Sequence, residues 1–102
     1  MIRIVNLRDY ELRENEVLVR VDRKSVLGNV FVMKDKSDRE RDRVCDEYEK
    51  YFERMRVENE EFRRELGRIW KLAKRYDVVL GCWCWPKRCH SMVIKEFIER
   101  YL

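Results

Sequence analysis

At 102 residues the chain has room for one domain, residues 1–102, with a single modest core. Hydrophobic residues at 45% and charged residues at 43% exclude a disordered chain, and the absence of any apolar run near the roughly 18 residues of a spanning helix excludes a membrane-embedded one. The net charge of +4 comes from 24 basic residues interleaved with 20 acidic ones, which argues against nucleic acid, whose binders concentrate positive charge on one face.

Ile2 to Leu7 alternates, with Ile2 and Ile4 on one face, and reads as a half-buried strand. A charged connection, Arg8 to Asn15, leads to a second strand over Glu16 to Val21, with Val17, Val19 and Val21 on one face. After the turn Leu27-Gly28-Asn29, Val30 to Met33 is expected to form a short third strand. Ser37 and Glu40 fit a capping box, and Val44, Tyr48, Tyr51, Phe52 and Met55 follow at helical spacing. The same register continues through Phe62, Leu66, Ile69, Trp70 and Ala73. One helix from Asp38 to Tyr76 would be about 60 Å long, far too long for a domain whose radius of gyration is about 13 Å. The stripe lapses at Glu58 and Asn59, and Asn59 is a good cap, so two helices are predicted. Asp77 to Trp83 is an apolar run suited to a strand buried on both faces, and Ile94, Phe97, Ile98 and Tyr101 line a final helix. The order βββααβα gives a mixed α/β fold, a three-to-four-stranded sheet with three helices packed on it.

The chain has no Gln or Thr and a single alanine, Ala73, beside sixteen Arg and eight Lys. That is the bias expected at high temperature, where ion pairs lose less to desolvation, and it points to a thermophilic source. The N-terminal MIRIVNLRDYELR lacks the apolar stretch of a secretory signal, so an intracellular protein is expected. Its cysteines, Cys45, Cys82, Cys84 and Cys89, are then reduced thiols or ligands, unless a thermophile interior allows a disulfide with Cys45 as one partner.

The stretch Gly81-Cys82-Trp83-Cys84-Trp85-Pro86-Lys87-Arg88-Cys89-His90 concentrates three cysteines, the only histidine and two of the three tryptophans. It leaves the carboxyl end of a buried strand and enters a helix, the edge where open α/β sheets bind ligands. Helix-start amides attract anions, Lys87 and Arg88 add positive potential, and a thiolate at Cys89 would be favoured there. Four readings stand beside one another. Cys82, Cys84 and Cys89, with His90, make a zinc set of unusual spacing. Cys89 with His90 makes a nucleophile and base, although sequence neighbours diverge on a helix. Backbone amides, Lys87, Arg88 and a Trp83 or Trp85 platform make an anion or nucleotide pocket. The plainest alternative is cysteines and tryptophans that only fill a core.

The segments IVNLR, VRVDRKSVLGNVF and LGCWCWPKRCH together resemble an uncharacterised domain family of phages, archaeal viruses and prokaryotes. Its pattern runs V-V-N-x-R, (G/D)-R-x-S-x-L-G-N-P-F and L-x-C-W-C-x-P-x-x-C-H. The resemblance implies a compact α/β domain and no established activity or cofactor. It places the signature on Asn6, Arg8, Arg23, Ser25, Gly28, Asn29, Cys82, Trp83, Cys84, Pro86, Cys89 and His90. Val30 replaces the pattern's proline, and Ser91-Met92 replaces the small-acidic pair after Cys-His, which weakens any acid–base role. The resemblance also suggests a small accessory protein of an archaeal virus, acting in the host cytoplasm. Arg23, Ser25 and Asn29 would complement the cysteine cluster, although Gly28-Asn29 reads first as a turn needing left-handed backbone.

The sequence therefore leads to a small binding domain. Arg23, Ser25, Asn29, Trp83, Trp85, Lys87 and Arg88 would hold an anionic, nucleotide-like ligand above Cys89 and His90, with no cofactor. The alternative is a peptide- or protein-binding module without catalysis. Oligomeric state is left open.

Overall fold

The computed structural model describes all of residues 1–102. Three extended runs pair as strands β1 (Ile2–Asn6), β2 (Glu16–Arg20) and β3 (Asp77–Cys82), and three amphipathic runs coil as α1 (Asp38–Glu58), α2 (Glu60–Arg75) and α3 (Ser91–Glu99). The element order is ββααβα and the sheet order β1-β3-β2, with every pair parallel. The α/β class and the three helices follow the sequence reading. The strand count does not, because Val30 to Met33 joins no sheet.

The reason lies in where that segment finds its hydrogen bonds. Two of its backbone groups bond side chains and not a strand: Phe31 N–H donates to Asn29 Oδ1 at 2.9 Å, and Arg43 donates to the Val32 carbonyl at 3.0 Å. Val30 and Val32 are exposed, so nothing is gained by turning an apolar face to the sheet. The outer edges of β1 and β2 stay unpaired, and this alternating segment, bonded to side chains instead, remains a loop.

Ile2 and Ile4, Val19, and Val78, Leu80 and Cys82 present one face of the sheet to the helices, and Tyr48, Phe52, Phe62, Leu66, Ile69, Ile94 and Ile98 fill the space between. The opposite face is closed by the connection between β1 and β2. Leu7 and Leu18 lie over Gly81, where an added Cβ would fall 2.5 Å from Leu7 Cδ2. Arg3 clamps Glu16 with two bonds of 2.7 and 2.9 Å and holds the Glu11 carbonyl at 2.8 Å. Covered on both sides, β3 is buried almost throughout, as its continuous apolar sequence requires.

The helix break falls at Asn59, whose φ of −110° leaves the helical region and whose side chain accepts from Phe62 N–H at 2.9 Å. Two helices folded back on each other keep the radius of gyration at 13.3 Å. Ser37 caps α1 by accepting from Glu40 N–H at 3.2 Å. The reciprocal half of the capping box is absent. Glu40 instead accepts from Lys34 N–H and from Arg43, and Asp35 takes the Ser37 amide. No helix is long and apolar enough to cross a membrane.

Candidate functional site

Parallel pairing sends all three strand ends to one edge, and the pairing runs one residue beyond them: Leu7 N–H donates to the Cys82 carbonyl and Val21 N–H to the Gly81 carbonyl. Past that point β2 and β3 diverge into Asp22-Arg23-Lys24 and Trp83-Cys84. The first turns of α1 stand across from them. Between these three walls lies a cavity of about 380 Å³, lined by Arg20, Arg23, Lys24, Arg41 and Arg88, by Asp22, and by Trp83, Phe31, Met33, Cys45, Cys84, Cys89 and His90 among others. Five cations face one carboxylate.

That carboxylate is already engaged. Asp22 is buried and accepts from the Arg20 guanidinium and from Trp83 Nε1–H at 3.0 Å. Burial opposes its ionisation, but these donors outweigh it and lower its pKa below the usual carboxylate value. Asp22 thus neutralises Arg20 and anchors the Trp83 indole, whose ring is 54% exposed and presents an open surface at the rim. Arg88 is held differently. It reaches Asp46 at 2.8 Å, Asp42 at 3.2 Å and Glu49 at 3.5 Å on α1, pinning the loop before α3 to that helix. Arg23 and Lys24 have no protein partner, and Arg41 Nε is buried without any acceptor. A buried donor left unpaired costs about 1–3 kcal/mol, and Arg41 lines the cavity beside Arg23 and Lys24.

The floor is a sulfur cluster. Cys82 ends β3 and Cys89 precedes α3, and their sulfurs lie 3.0 Å apart. Ser91 Oγ–H donates to Cys89 Sγ at 3.0 Å and lies 3.5 Å from Cys82 Sγ. Donation from the Cys84 and Cys89 thiols lowers the Cys82 pKa, while donating to Cys82, together with burial, pushes Cys89 up. Ionisation belongs to the cluster and not to one residue. The thiolate expected at Cys89 is therefore corrected: that thiol is buried and bonded, and its proton is held.

His90 is buried against Tyr48, ring centroids 5.1 Å apart. Its Nε2–H donates to the Val21 carbonyl, which fixes the tautomer and leaves Nδ1 facing Cys89 Sγ at 3.7 Å. The sequence neighbours thus do converge, because His90 sits at the N-cap of α3 and not within it. Burial lowers the His90 pKa, so the imidazole is neutral near pH 7.

Of the residues singled out from sequence, Arg23, Asn29, Trp83, Cys84, Arg88, Cys89 and His90 meet at this cavity. Ser25, Trp85 and Lys87 do not. Ser25 Oγ accepts from Leu27 N–H at 3.0 Å within its own turn. Trp85 faces the β1 side, beside Ile4, Asn6 and Pro86. Lys87 is exposed away from the crevice. Asn29 is spent on structure, accepting from Phe31 N–H and donating to the Val44 carbonyl at 3.3 Å. Gly28 corrects another expectation. No glycine has a positive φ; a Cβ at Gly28 would lie 2.4 Å from the Asp22 carbonyl oxygen and 2.8 Å from Arg23 Cα. Close approach, not left-handed backbone, requires glycine. All four cysteines are free thiols, Cys45 included, and no group of three or more His, Cys, Asp or Glu side chains is arranged to hold a metal ion.

Sequence reasoning missed Arg20, Lys24 and Arg41. Arg41 had a readable signal: it lies three, four and seven residues before Val44, Cys45 and Tyr48, on the buried stripe of α1. Asn6 also gains a physical role, since its amide donates to the Trp83 and Trp85 carbonyls at 3.1 and 2.9 Å and ties the cysteine loop to β1.

Sheet, helices and crevice define a small parallel α/β domain with its open cavity at the carboxyl edge of the strands. The chain belongs to the family described as Domain of unknown function (DUF4326), which matches over residues 5–100. No curated protein and no solved structure matches the chain. The family match carries no viral, archaeal or hyperthermophile origin, and that expectation is corrected. Apart from the Arg88 fan the ion pairs are separate, several of them i,i+3 or i,i+4 along one helix.

Proposed function

We propose that this domain binds an anionic, nucleotide-like small molecule in the crevice beyond β2 and β3. The observation that carries the reading is the cation excess there, with Arg41 Nε buried and unpaired and Arg23 and Lys24 free of protein partners. Phosphate oxygens are the acceptors such guanidinium groups fit best. The open face of Trp83 supplies a stacking surface for a base, and a cavity of about 380 Å³ is within the range of small-ligand sites. The reading involves no reaction.

A thermal-shift series with nucleoside mono-, di- and triphosphates and inorganic pyrophosphate tests it. Stabilisation by at least one of them, reduced in Arg23→Ala, is expected. A flat response across the series removes the proposal.

A second reading, a peptide-binding module, draws on a groove of about 410 Å³ between α2 and α3. Leu66, Trp70, Phe97 and Tyr101 line it, with Arg56 and Arg63 at its rim. Trp70 and Phe97 are half-buried and Tyr101 is exposed, and aromatics in such a groove can anchor a peptide. Retention of an acidic peptide by wild type and not by Trp70→Ala, with no nucleotide response, would favour it.

A further inference from the structure

We infer that Cys82 and Cys89 form a redox-active dithiol that closes to a disulfide on reaction with a small disulfide of the glutathione class. The inference does not depend on the anion reading. Two thiols from separate elements, the last residue of β3 and the residue before His90, are buried with their sulfurs 3.0 Å apart. A disulfide needs about 2.0 Å, so closure asks for a movement of about 1 Å. By comparison, two thiolates on a tetrahedral zinc ion stand about 3.8 Å apart, as follows from a Zn–S bond of about 2.3 Å. The pair stands inside that spacing, and no group of three or more His, Cys, Asp or Glu side chains is arranged to complete a metal site around it. Ser91 Oγ, which bonds Cys89 and touches Cys82, is placed to donate to whichever sulfur carries charge during exchange.

Cys84 supplies access. It is only partly buried and lines the crevice beside Cys89. Its thiolate attacks RS–SR, forming Cys84–S–SR and releasing RS⁻. Cys89 gives its proton to the released RS⁻ and attacks the Cys84 sulfur, expelling the second RS⁻; Cys82 passes its proton to that RS⁻ and attacks the Cys89 sulfur, returning Cys84 as thiolate. The balance is two protein thiols oxidised and one small disulfide reduced to two thiols, with the two protein protons ending on RS⁻.

The test incubates the full chain with oxidised glutathione, quenches by acid and alkylation, and digests with trypsin. Cleavage after Lys87 and Arg88 separates Cys89 from the peptide holding Cys82 and Cys84. A disulfide-linked pair of peptides 76–87 and 89–95 is expected in wild type. Cys84→Ser should give the same pair about tenfold more slowly, having lost the accessible thiol. Three results overturn the inference: no linked pair at any ratio of oxidised to reduced glutathione, loss of the linked pair in Cys84→Ser with retention in Cys82→Ser, or stoichiometric zinc on the purified protein held by these thiols. An unchanged rate in Cys84→Ser overturns the relay. Since no nucleotide is present, none of these outcomes bears on the crevice ligand.

Discussion

Replacing Gly28 with alanine tests how the crevice wall is built. The added Cβ would stand 2.4 Å from the Asp22 carbonyl oxygen, 2.8 Å from Arg23 Cα and 2.9 Å from the Asp22 carbonyl carbon. All three are backbone atoms, so no side chain can swing aside and the chain itself must retreat by about 1 Å. Overpacking of this kind costs about 1–3 kcal/mol. The Asp22 carbonyl also accepts from Ser25 N–H at 2.8 Å, and disturbing that bond adds about 1 kcal/mol. The sum, about 3 kcal/mol, is a large share of the roughly 5–15 kcal/mol that stabilises a domain. It corresponds to a fall in Tm of roughly 12–24 °C at this chain length. Urea unfolding followed by tryptophan fluorescence measures it, with Trp83 on Asp22 as a local reporter. Gly67→Ala is the control: nothing lies within 4 Å of its Cβ position in α2, and a gain of about 0.5–1 kcal/mol is expected. A Gly28→Ala variant within about 0.5 kcal/mol of wild type would refute the close-approach argument.

Asn59→Ala removes the acceptor for Phe62 N–H at the start of α2 and should cost about 1 kcal/mol in urea unfolding; no loss would mean the break is set by packing alone. His90→Gln should change the pH dependence of stability. Burial lowers the His90 pKa from 6.5, so its contribution is complete above pH 6.5 and is lost as pH falls from there towards the folded value, because the unfolded chain binds the proton first. The variant should show a shallower slope below pH 6.5, and an equal slope would contradict a buried neutral imidazole. Glu16 and Glu40, both held at about 2, chiefly by hydrogen bonds from Arg3 and Arg43, add stability above pH 4.5 that is lost towards pH 2. That second decline should appear in wild type and His90→Gln alike.

Periodicity made the helices legible, and Asn59 made their break legible, because both signals are local. Val30 to Met33 misled, since alternation alone does not tell whether a segment reaches a sheet edge. The outer edges of β1 and β2 stay open, and the segment is held instead by Asn29 and Arg43. At the candidate site, strand-to-helix placement brought Trp83, Cys89 and His90 to one cavity at the carboxyl edge of the strands. Ser25, Trp85 and Lys87 were attractive by residue type alone, and their direction depends on turn geometry that spacing does not reveal. Arg20, Lys24 and Arg41 stayed hidden among sixteen arginines and eight lysines. In a chain this charged, the informative cation is the one without a partner, and partners are a property of the fold.

The central claim is that unpaired guanidinium groups in the crevice await an anion, and calorimetric titration of Arg41→Met with a nucleoside triphosphate tests it most directly. A charge-assisted hydrogen bond is worth about 1.5–3 kcal/mol, so affinity should fall at least about tenfold relative to wild type, while Lys87→Ala binds as wild type does. Equal affinity in Arg41→Met and wild type, or a loss in Lys87→Ala as large as that in Arg41→Met, would contradict the account.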